Sequence, residues 1–324
     1  MSGIAAPRIT ERVDAITHIS NAYLTKTPPI PRSVKIELTG RCNYNCTFCA
    51  RSFRLRAQDE MDRGLFERLL REMRQDGVEE IGLFYLGESF LCDWLEEAIA
   101  FAKQECGFPY VFLTTNGSLA IADRLETCFR NGLDSLKFSY NYADEAQFVE
   151  VARVKPRLFD DMKANILAAR AVRDKVAAET GHFCGLYASY IEYDGEQRAR
   201  MMEAVAEITP FVDEVYALPL YNQADLVTDR EKKLGWKPTA GNRGRLEALR
   251  DPLPCWSIFT EGHIAWDGKL SACCFDHDGR FHMADLTQVS FREGWNSLTF
   301  QTLRDAHLRK DVTGTACEQC VAYR

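Results

Sequence analysis

Residues 39–49 read Thr-Gly-Arg-Cys-Asn-Tyr-Asn-Cys-Thr-Phe-Cys and place three thiols, Cys42, Cys46 and Cys49, within eight residues. Thiolates this close together can converge on one metal centre. A zinc site would require a fourth nearby ligand, and the segment contains no histidine. An iron–sulfur cubane normally takes four thiolates, so three local ones would leave one iron open to bind a small molecule. Three reduced cysteines without a metal are the alternative interpretation.

The composition of the 324-residue chain is that of an ordinary globular protein, with 27% charged and 46% hydrophobic residues. Its net charge of −7 argues against a general nucleic-acid or anionic-membrane surface. No apolar run approaches the roughly 18 residues that span a bilayer, and the N-terminus lacks the apolar core of a secretory signal. Twelve cysteines without export signals suggest metal ligation in a reducing cytosol. We expect a cytoplasmic protein with no nucleic-acid and no membrane partner.

Apolar periodicity after residue 33 predicts strands that alternate with helices. The strand-like runs lie at residues 34–38, 81–86, 110–114, 136–139, 184–191 and 214–220. This alternation implies right-handed βαβ units and a parallel sheet, and six units fall short of the eight in a closed barrel. We therefore predict an α/β fold with an open, partial (βα)6 TIM-like barrel.

The chain divides into four predicted parts: an N-terminal lead-in (1–32), the barrel (33–220), a linker (221–254) and a small C-terminal domain (255–324). The last part has hairpin-type turn signals at Asp267-Gly268 and Asp278-Gly279, followed by a helical pattern near residues 300–308. We expect it to be a β-hairpin-plus-helix domain.

Polar residues follow several predicted strands, at the edge where ligands of parallel α/β sheets bind. Gly87 and Glu88 follow the second strand, and Asn116 follows the third. The glycine would let the backbone approach a ligand, and the Glu88 carboxylate can accept from an ammonium group. Ser139 and Asn141, at the end of the fourth strand, suit ribose hydroxyls. Each polar end alone is weak evidence, but together they predict a cofactor site.

The thiol spacing, with an aromatic residue before the last cysteine, resembles the motif of the radical S-adenosylmethionine (SAM) family. The resemblance covers roughly residues 33–220. It implies that Cys42, Cys46 and Cys49 hold a [4Fe–4S] cluster, that SAM binds its open iron, and that the backbone of Phe48 faces the adenine. Such enzymes cleave SAM to a 5′-deoxyadenosyl radical, which abstracts hydrogen from a substrate carbon. The resemblance also implies an electron donor such as flavodoxin or ferredoxin.

Two strand-end elements match the same family. Gly87-Glu88 correspond to its Gly-Glu element for the methionyl amino group, although Leu86 stands where many members have another glycine. Ser139 and Asn141 correspond to its ribose-contacting pair.

A second set of thiols stands near the C-terminus: Cys255, Cys273, Cys317 and Cys320. Their pattern resembles the start of the auxiliary-cluster domains called SPASM or twitch. By that resemblance Cys273 is a ligand and Cys274 is spare, although the spacing allows the reverse. Full SPASM domains carry further cysteines, whereas this sequence ends at Arg324, so we expect the twitch form with one four-cysteine [4Fe–4S] cluster. A structural zinc site of four cysteines is the alternative.

A fully ligated second cluster favours electron transfer. In this family the arrangement resembles dehydrogenases and epimerases of sugars and aminocyclitols, and also peptide-modifying enzymes. We expect a small-molecule substrate, since residues 1–32 are too short for the peptide-binding domain of many peptide-modifying members. Our first hypothesis is dehydrogenation with the auxiliary cluster as electron acceptor. Epimerisation would need a thiol hydrogen donor, for which Cys184 and Cys274 are candidates, and a zinc-binding module without catalysis is the non-enzyme alternative.

Overall fold

The strands of the computed structural model form one continuous sheet. The structure describes residues 7–192, 195–221, 223–233 and 253–320. The strands in these ranges are β1 (Ser33–Ile36), β2 (Glu80–Gly82), β3 (Tyr110–Thr115), β4 (Ser135–Ser139), β5 (Gly185–Glu192), β6 (Glu214–Pro219), β7 (Glu261–Ile264), β8 (Lys269–Ser271) and β9 (His282–Asp285). Their order across the sheet is β6-β5-β4-β3-β2-β1-β7-β8-β9.

Helices connect and flank these strands. Those in the described residues are α1 (Ile9–Thr17), α2 (Arg63–Asp76), α3 (Leu95–Ala100), α4 (Ala122–Arg130), α5 (Glu145–Ala152), α6 (Arg157–Thr180), α7 (Gly195–Ile208), α8 (Thr228–Lys233), α9 (Phe291–Trp295) and α10 (Leu298–Leu308). Over the ranges that the structure describes, none of the helices has the length and apolarity needed to cross a bilayer.

The first six strands pair in chain order, each parallel to the next. In a closed barrel β6 would return to β1, but the second edge of β1 is taken by β7. The prediction of an open, partial (βα)6 barrel is therefore confirmed. All six carboxyl ends meet at one edge of the sheet, which is the edge where the predicted cofactor residues lie.

Local signals position α2 as expected. The Asp62 side chain accepts a hydrogen bond from the Leu65 backbone N–H at 2.8 Å and caps the first turn. Gly77 ends the helix with φ of 101°, in the left-handed region that glycine adopts without strain.

Two elements differ from the sequence prediction. β2 ends at Gly82, because the Ser89 hydroxyl donates to the Leu83 carbonyl at 2.7 Å and the chain turns into a loop instead of continuing as a strand. Helix α5 was not predicted, although its signal was present: Asp144 caps it by accepting from the Gln147 N–H at 2.8 Å, and Phe148 is buried.

The C-terminal strands continue the barrel sheet. β7 runs parallel to β1, from the pair Ser33–Glu261 to the pair Ile36–Ile264, and β8 and β9 follow antiparallel. The hairpin turn predicted at Asp267-Gly268 joins β7 to β8. Of the predicted linker 221–254, residue 222 and residues 234–252 lie outside the described residues.

The alternation along β4 separates the core from the concave face of the sheet. Leu136 and Phe138 are buried in the hydrophobic core, whereas Lys137 and Ser139 are half-buried on the opposite face. The concave face therefore carries polar groups.

A buried ion pair anchors the amino ends of β5 and β6 to α6. Arg173, of which 2% is exposed, donates to the Asp213 carboxylate at 2.9 Å, and Asp213 also accepts from the Leu186 backbone N–H at 2.7 Å. Removing the guanidinium would leave the carboxylate without its counter-charge.

We therefore expect Arg173→Met to lower the free energy of unfolding by about 3–5 kcal/mol. Arg170→Met is the matched control, because Arg170 pairs with Asp174 on the exposed face of the same helix and such pairs contribute about 1 kcal/mol or less. Urea unfolding of both variants measures the difference. Equal losses would contradict the anchoring role of Arg173.

Candidate functional site

The three thiols of residues 39–49 lie on the loop that leaves β1, and all three are half-buried. Burial raises the pKa of Cys42 to about 12, and the Glu88 carboxylate and the Cys49 thiol contribute to the rise. Burial also raises the pKa of Cys46, with contributions from Cys42 and Cys49. The three sulfur atoms therefore share one electrostatic neighbourhood, in which a bound metal centre would stabilise their thiolate forms.

Within the described ranges, no three cysteine, histidine or acidic side chains are arranged to hold a single metal ion. A mononuclear zinc ion needs its thiolates at about 2.3 Å from one point. The thiolates of a cubane instead bind different iron atoms, so they need not converge on one point. The shared surroundings of Cys42, Cys46 and Cys49, and not the lack of a single-ion site, are what fit a cluster.

The loop of residues 39–49, which we call the cluster loop, is held by side chains at the end of β3. Asn116 Nδ2 donates to Asn43 Oδ1 at 2.8 Å and lies 3.9 Å from the Cys42 sulfur. Asn43 donates to the Ser118 hydroxyl at 2.8 Å, and that hydroxyl donates to Asn116 Oδ1 at 2.8 Å. The amide of Asn116, which we predicted to bind cofactor, thus engages the cluster loop and positions it beside Cys42.

Gly87 is required by a close approach of two backbone segments. A Cβ atom at this position would lie 2.0 Å from the Thr39 carbonyl oxygen and 2.8 Å from that of Arg41. The next residue, Glu88, donates its backbone N–H to the Arg41 carbonyl at 2.8 Å. We expected the glycine to let the backbone approach a ligand, but its close neighbour is the chain's own cluster loop.

The Glu88 carboxylate is buried and accepts three hydrogen bonds from the chain. Its donors are the Thr115 hydroxyl at 2.7 Å, the Asn116 backbone N–H at 2.7 Å and the Phe90 backbone N–H at 3.2 Å. Burial raises the pKa of Glu88, and these donors oppose the rise. The carboxylate that we expected to face an ammonium group is thus engaged in joining the end of β2 to that of β3.

The predicted ribose-contacting region contains buried polar atoms without partners. Two such atoms among the described residues are Oδ1 of Asn141 and the hydroxyl of Ser189. Ser189 faces Ser139 across the β4–β5 pair. Such atoms are costly unless a ligand or water completes their hydrogen bonds. They fit the predicted contact with ribose hydroxyls. Phe48, whose backbone was predicted to face the adenine, packs half-buried against the core.

The second set of thiols also lies together. A hydrogen bond with the adjoining Cys274 and burial raise the pKa of Cys273 well above its usual value, and Cys317 contributes. Burial raises the pKa of Cys317 to about 12, with a contribution from Cys320. Cys255, Cys273 and Cys320 line the same cavity. The four predicted ligands thus occupy one neighbourhood, as a four-cysteine cluster requires.

The neighbours of the two adjacent thiols favour Cys273 as the ligand. The sulfur of Cys273 interacts with Cys317 and accepts the Phe275 backbone N–H at 3.3 Å. Cys274 instead lies near Lys35 and Glu261. We keep Cys273 as the proposed ligand and Cys274 as the spare thiol.

A cavity of about 330 Å³ is lined both by the barrel and by the second thiol set. Its lining thiols are Cys255, Cys273, Cys274 and Cys320. Its polar residues from the barrel strands are Lys35, Thr114, Ser135, Lys137 and Tyr216. The proposed auxiliary-cluster ligands and the concave face of the barrel therefore meet in one space.

The structure does not bring Cys184 to this cavity. Cys184 directly precedes β5, at the amino edge of the sheet, and is buried. Its backbone carbonyl accepts from Arg173 at 3.1 Å, and burial raises the pKa of its thiol well above the usual value. Of the two candidate hydrogen donors, Cys274 lines the cavity and Cys184 does not.

Cys46 has a partner that no sequence pattern indicates. The hydroxyl of Tyr142 lies 3.0 Å from the Cys46 sulfur, and the ring of Tyr142 packs edge-on against Phe148 at 4.9 Å. Tyr142 is 96 positions away along the chain, so no local pattern predicts this contact.

A buried polar network beside the cavity was also missed. Lys35 Nζ donates to the Glu261 carboxylate at 2.7 Å, and His263 lies 3.0 Å from the same carboxylate. A signal was available on β1, where Lys35 lies between the buried apolar residues Val34 and Ile36 and therefore points to the concave face.

Comparisons with known proteins agree with this site. Residues 36–193 match the radical SAM superfamily, and residues 255–321 match SPASM, an iron–sulfur cluster-binding domain. A curated relative, the probable GTP 3′,8-cyclase of Methanothermobacter marburgensis, is 26% identical over 84% of this chain and 93% of its own.

Two solved structures share the fold at 15% identity. BtrN in complex with AdoMet and 2-DOIA has a TM-score of 0.59 over 90% of this chain and 92% of that chain. SuiB of Streptococcus suis bound to its precursor peptide SuiA has a TM-score of 0.64 over 92% of this chain and 71% of that chain.

The fold, the two thiol sets and these matches define an iron–sulfur enzyme that uses SAM. The chain belongs to the radical SAM superfamily and carries a C-terminal iron–sulfur cluster-binding domain of the SPASM type. Its cofactors are SAM, a SAM-binding [4Fe–4S] cluster and an auxiliary cluster. The shorter twitch form of the C-terminal domain stays a prediction.

We expect Tyr142→Phe to shift the reduction potential of the SAM-binding cluster to more negative values. A phenol that donates to the Cys46 thiolate stabilises the extra negative charge of the reduced cluster, and Phe removes that donor. Anaerobic redox titration followed by electron paramagnetic resonance measures the potential.

Tyr140→Phe is the control for this experiment. The Tyr140 hydroxyl is buried two residues away, without a hydrogen-bond partner in the described part of the chain. Its loss should leave the potential unchanged. Equal potentials in both variants would show that the Tyr142 contact does not tune the cluster.

Proposed function

We propose that this enzyme dehydrogenates a sugar-like or aminocyclitol-like small molecule and uses the auxiliary cluster as electron acceptor. The supporting observation is the cavity of about 330 Å³ that the concave face of the barrel shares with Cys255, Cys273 and Cys320. A substrate bound there would contact both the barrel interior and the auxiliary site.

When bound, SAM with its cluster supplies the radical that removes a hydrogen atom from a substrate carbon, and the auxiliary cluster supplies an electron acceptor. The residues of the chain hold and orient these groups. Cys42, Cys46 and Cys49 are the proposed ligands of the first cluster, and Ser139 and Asn141 are proposed to orient the SAM ribose. In the overall oxidation of an alcohol to a carbonyl, the carbon would lose one hydrogen atom to the radical, the hydroxyl oxygen would lose one proton to water, and one electron would go to the acceptor.

The lining of the cavity suits a polyhydroxylated substrate. Thr114, Ser135 and Ser257 contribute hydroxyl groups, and Tyr216 and Tyr221 contribute aromatic faces beside phenol groups. Such a mixture can bind sugar hydroxyls by hydrogen bonds and a ring face by packing.

Nucleotide cyclisation is a second candidate function, because the curated relative that aligns with 84% of this chain is named as a probable GTP 3′,8-cyclase. Two further alternatives would use the same cavity as the substrate site. One is epimerisation with Cys274 as hydrogen donor. The other is modification of a peptide, as the peptide-bound SuiB structure suggests. Anaerobic incubation with GTP and SAM, followed by product analysis, tests the cyclase alternative directly.

Anaerobically reconstituted protein should contain about eight iron and about eight sulfide per chain, as two cubanes require. With dithionite and SAM it should release 5′-deoxyadenosine. Replacing Cys255, Cys317 and Cys320 together by Ala should halve the iron and leave SAM cleavage at least partly intact, because the other three thiols remain.

Two results would count against this assignment. Protein with a filled first cluster that releases no 5′-deoxyadenosine would rule out radical SAM chemistry. Zinc near two per chain in place of iron would support the zinc-binding module. Circular dichroism of the triple variant separates loss of the cluster from loss of the fold.

Once a substrate is found, turnover in deuterated water separates dehydrogenation from epimerisation. Dehydrogenation should give a product oxidised by two electrons without solvent deuterium at carbon. Deuterium in a non-exchangeable C–H position, lost in Cys274→Ala, would instead establish epimerisation. Cys184→Ala is the control and should not change the label, because its buried thiol is not among the residues that line the cavity.

A further inference from the structure

Lys137 is a cation on the concave face of the barrel. It lies on β4 between the buried Leu136 and Phe138, so its side chain points away from the core. It is half-buried and lines the cavity together with Cys273 and Cys274.

The other cations of the cavity lining have acidic partners. Arg12 pairs with Glu80, and Lys35 pairs with Glu261 at 2.7 Å. For the ammonium group of Lys137, the described residues provide neither an ion pair nor a hydrogen bond. The lining also includes the carboxylates of Asp14 and Glu261, but no described residue forms an ion pair or a hydrogen bond with Lys137.

An ammonium group in a poorly hydrated site without a counter-charge costs free energy. Burial, assisted by the nearby Lys35, lowers the pKa of Lys137 to about 8. Even so, the group stays mostly protonated at neutral pH. A ligand that brings a negative charge to Lys137 would remove this cost and would gain a charge-assisted hydrogen bond.

We propose that Lys137 binds an anionic group of the substrate, a carboxylate or a phosphate. The proposal rests on the proposed function, because that function takes the cavity as the substrate site. It narrows the substrate to a sugar-like or aminocyclitol-like molecule that carries an acid group.

The carboxylate of SAM is a less suitable partner for Lys137. The proposed SAM contacts Ser139 and Asn141 lie two and four residues further along the chain, toward the carboxyl edge of the sheet. One strand residue spans about 3.3 Å, so Lys137 lies roughly 7 Å below Ser139. The cavity that Lys137 lines includes three thiols of the second set and Cys274, and neither Ser139 nor Asn141 is among its lining residues.

The test is anaerobic equilibrium dialysis of the protein with both clusters filled and SAM bound, without reductant, so that no turnover occurs. The probes are glucose 6-phosphate and glucuronate, with glucose as the neutral comparison. Inorganic phosphate and acetate test the two anionic groups alone. The variants are Lys137→Met, Lys137→Arg and the control Lys163→Met, which removes a lysine of α6 that pairs with Glu207 of α7.

At least one of the two anionic sugars, glucose 6-phosphate or glucuronate, should bind the unmodified enzyme more tightly than glucose. It should also bind more tightly than the corresponding small anion, inorganic phosphate or acetate. Lys137→Met should weaken that binding by about tenfold or more, the loss expected for one charge-assisted hydrogen bond. Lys137→Arg should restore much of it, because arginine keeps the charge. A lysine needed as a proton acceptor would not be replaced by arginine in this way. Lys163→Met should change nothing.

Three results would overturn the proposal. They are no preference for anionic probes in the unmodified enzyme, an equal loss in Lys163→Met, or a loss of SAM affinity in Lys137→Met with unchanged probe binding. Iron content and circular dichroism verify that each variant is folded and loaded. Because binding is measured without turnover, the binding result at Lys137 does not depend on whether the enzyme is a dehydrogenase. A negative binding result would likewise leave the dehydrogenase hypothesis standing.

Discussion

The close contact between Gly87 and the carbonyls of Thr39 and Arg41 is the constraint on which the site depends. This contact lets the segment after β2 pack against the cluster loop, where the Glu88 backbone N–H donates a hydrogen bond to the Arg41 carbonyl. The buried Glu88 carboxylate then fixes the end of β3 through Thr115 and Asn116. Three chain segments that carry proposed cofactor contacts are thereby locked together before any cofactor binds.

The pairing of β7 with β1 extends this arrangement to the second thiol set. It places the proposed auxiliary ligands beside the open side of the barrel, so that one cavity faces both sites. The Lys35–Glu261–His263 network crosses the same pair of strands. Burial by itself raises the pKa of Glu261, but Lys35 and His263 lower it to about 2. This carboxylate therefore stays charged and paired.

Several features of the site are costly in the chain alone. Burial raises the pKa of thiols in both sets, and in the described residues the Asn141 oxygen and the Lys137 ammonium group lack hydrogen-bond partners. Natural proteins retain such groups mainly where a ligand completes them. Metal binding to the thiols is then also folding free energy, because the clusters favour the state in which the thiols lie together.

The sequence by itself determined the alternation of strands and helices, the open parallel sheet, the capping of α2 and both thiol sets. Each of these depends on periodicity, turn residues or spacing within a few positions. Tertiary structure alone decided that β7 joins β1, that Tyr142 meets Cys46, that Gly87 serves a backbone contact, and that Cys184 is not among the residues that line the cavity. The physical reason is that these contacts join residues far apart in the chain, whose meeting depends on strand order and on the packing of the whole sheet, and a local pattern carries neither.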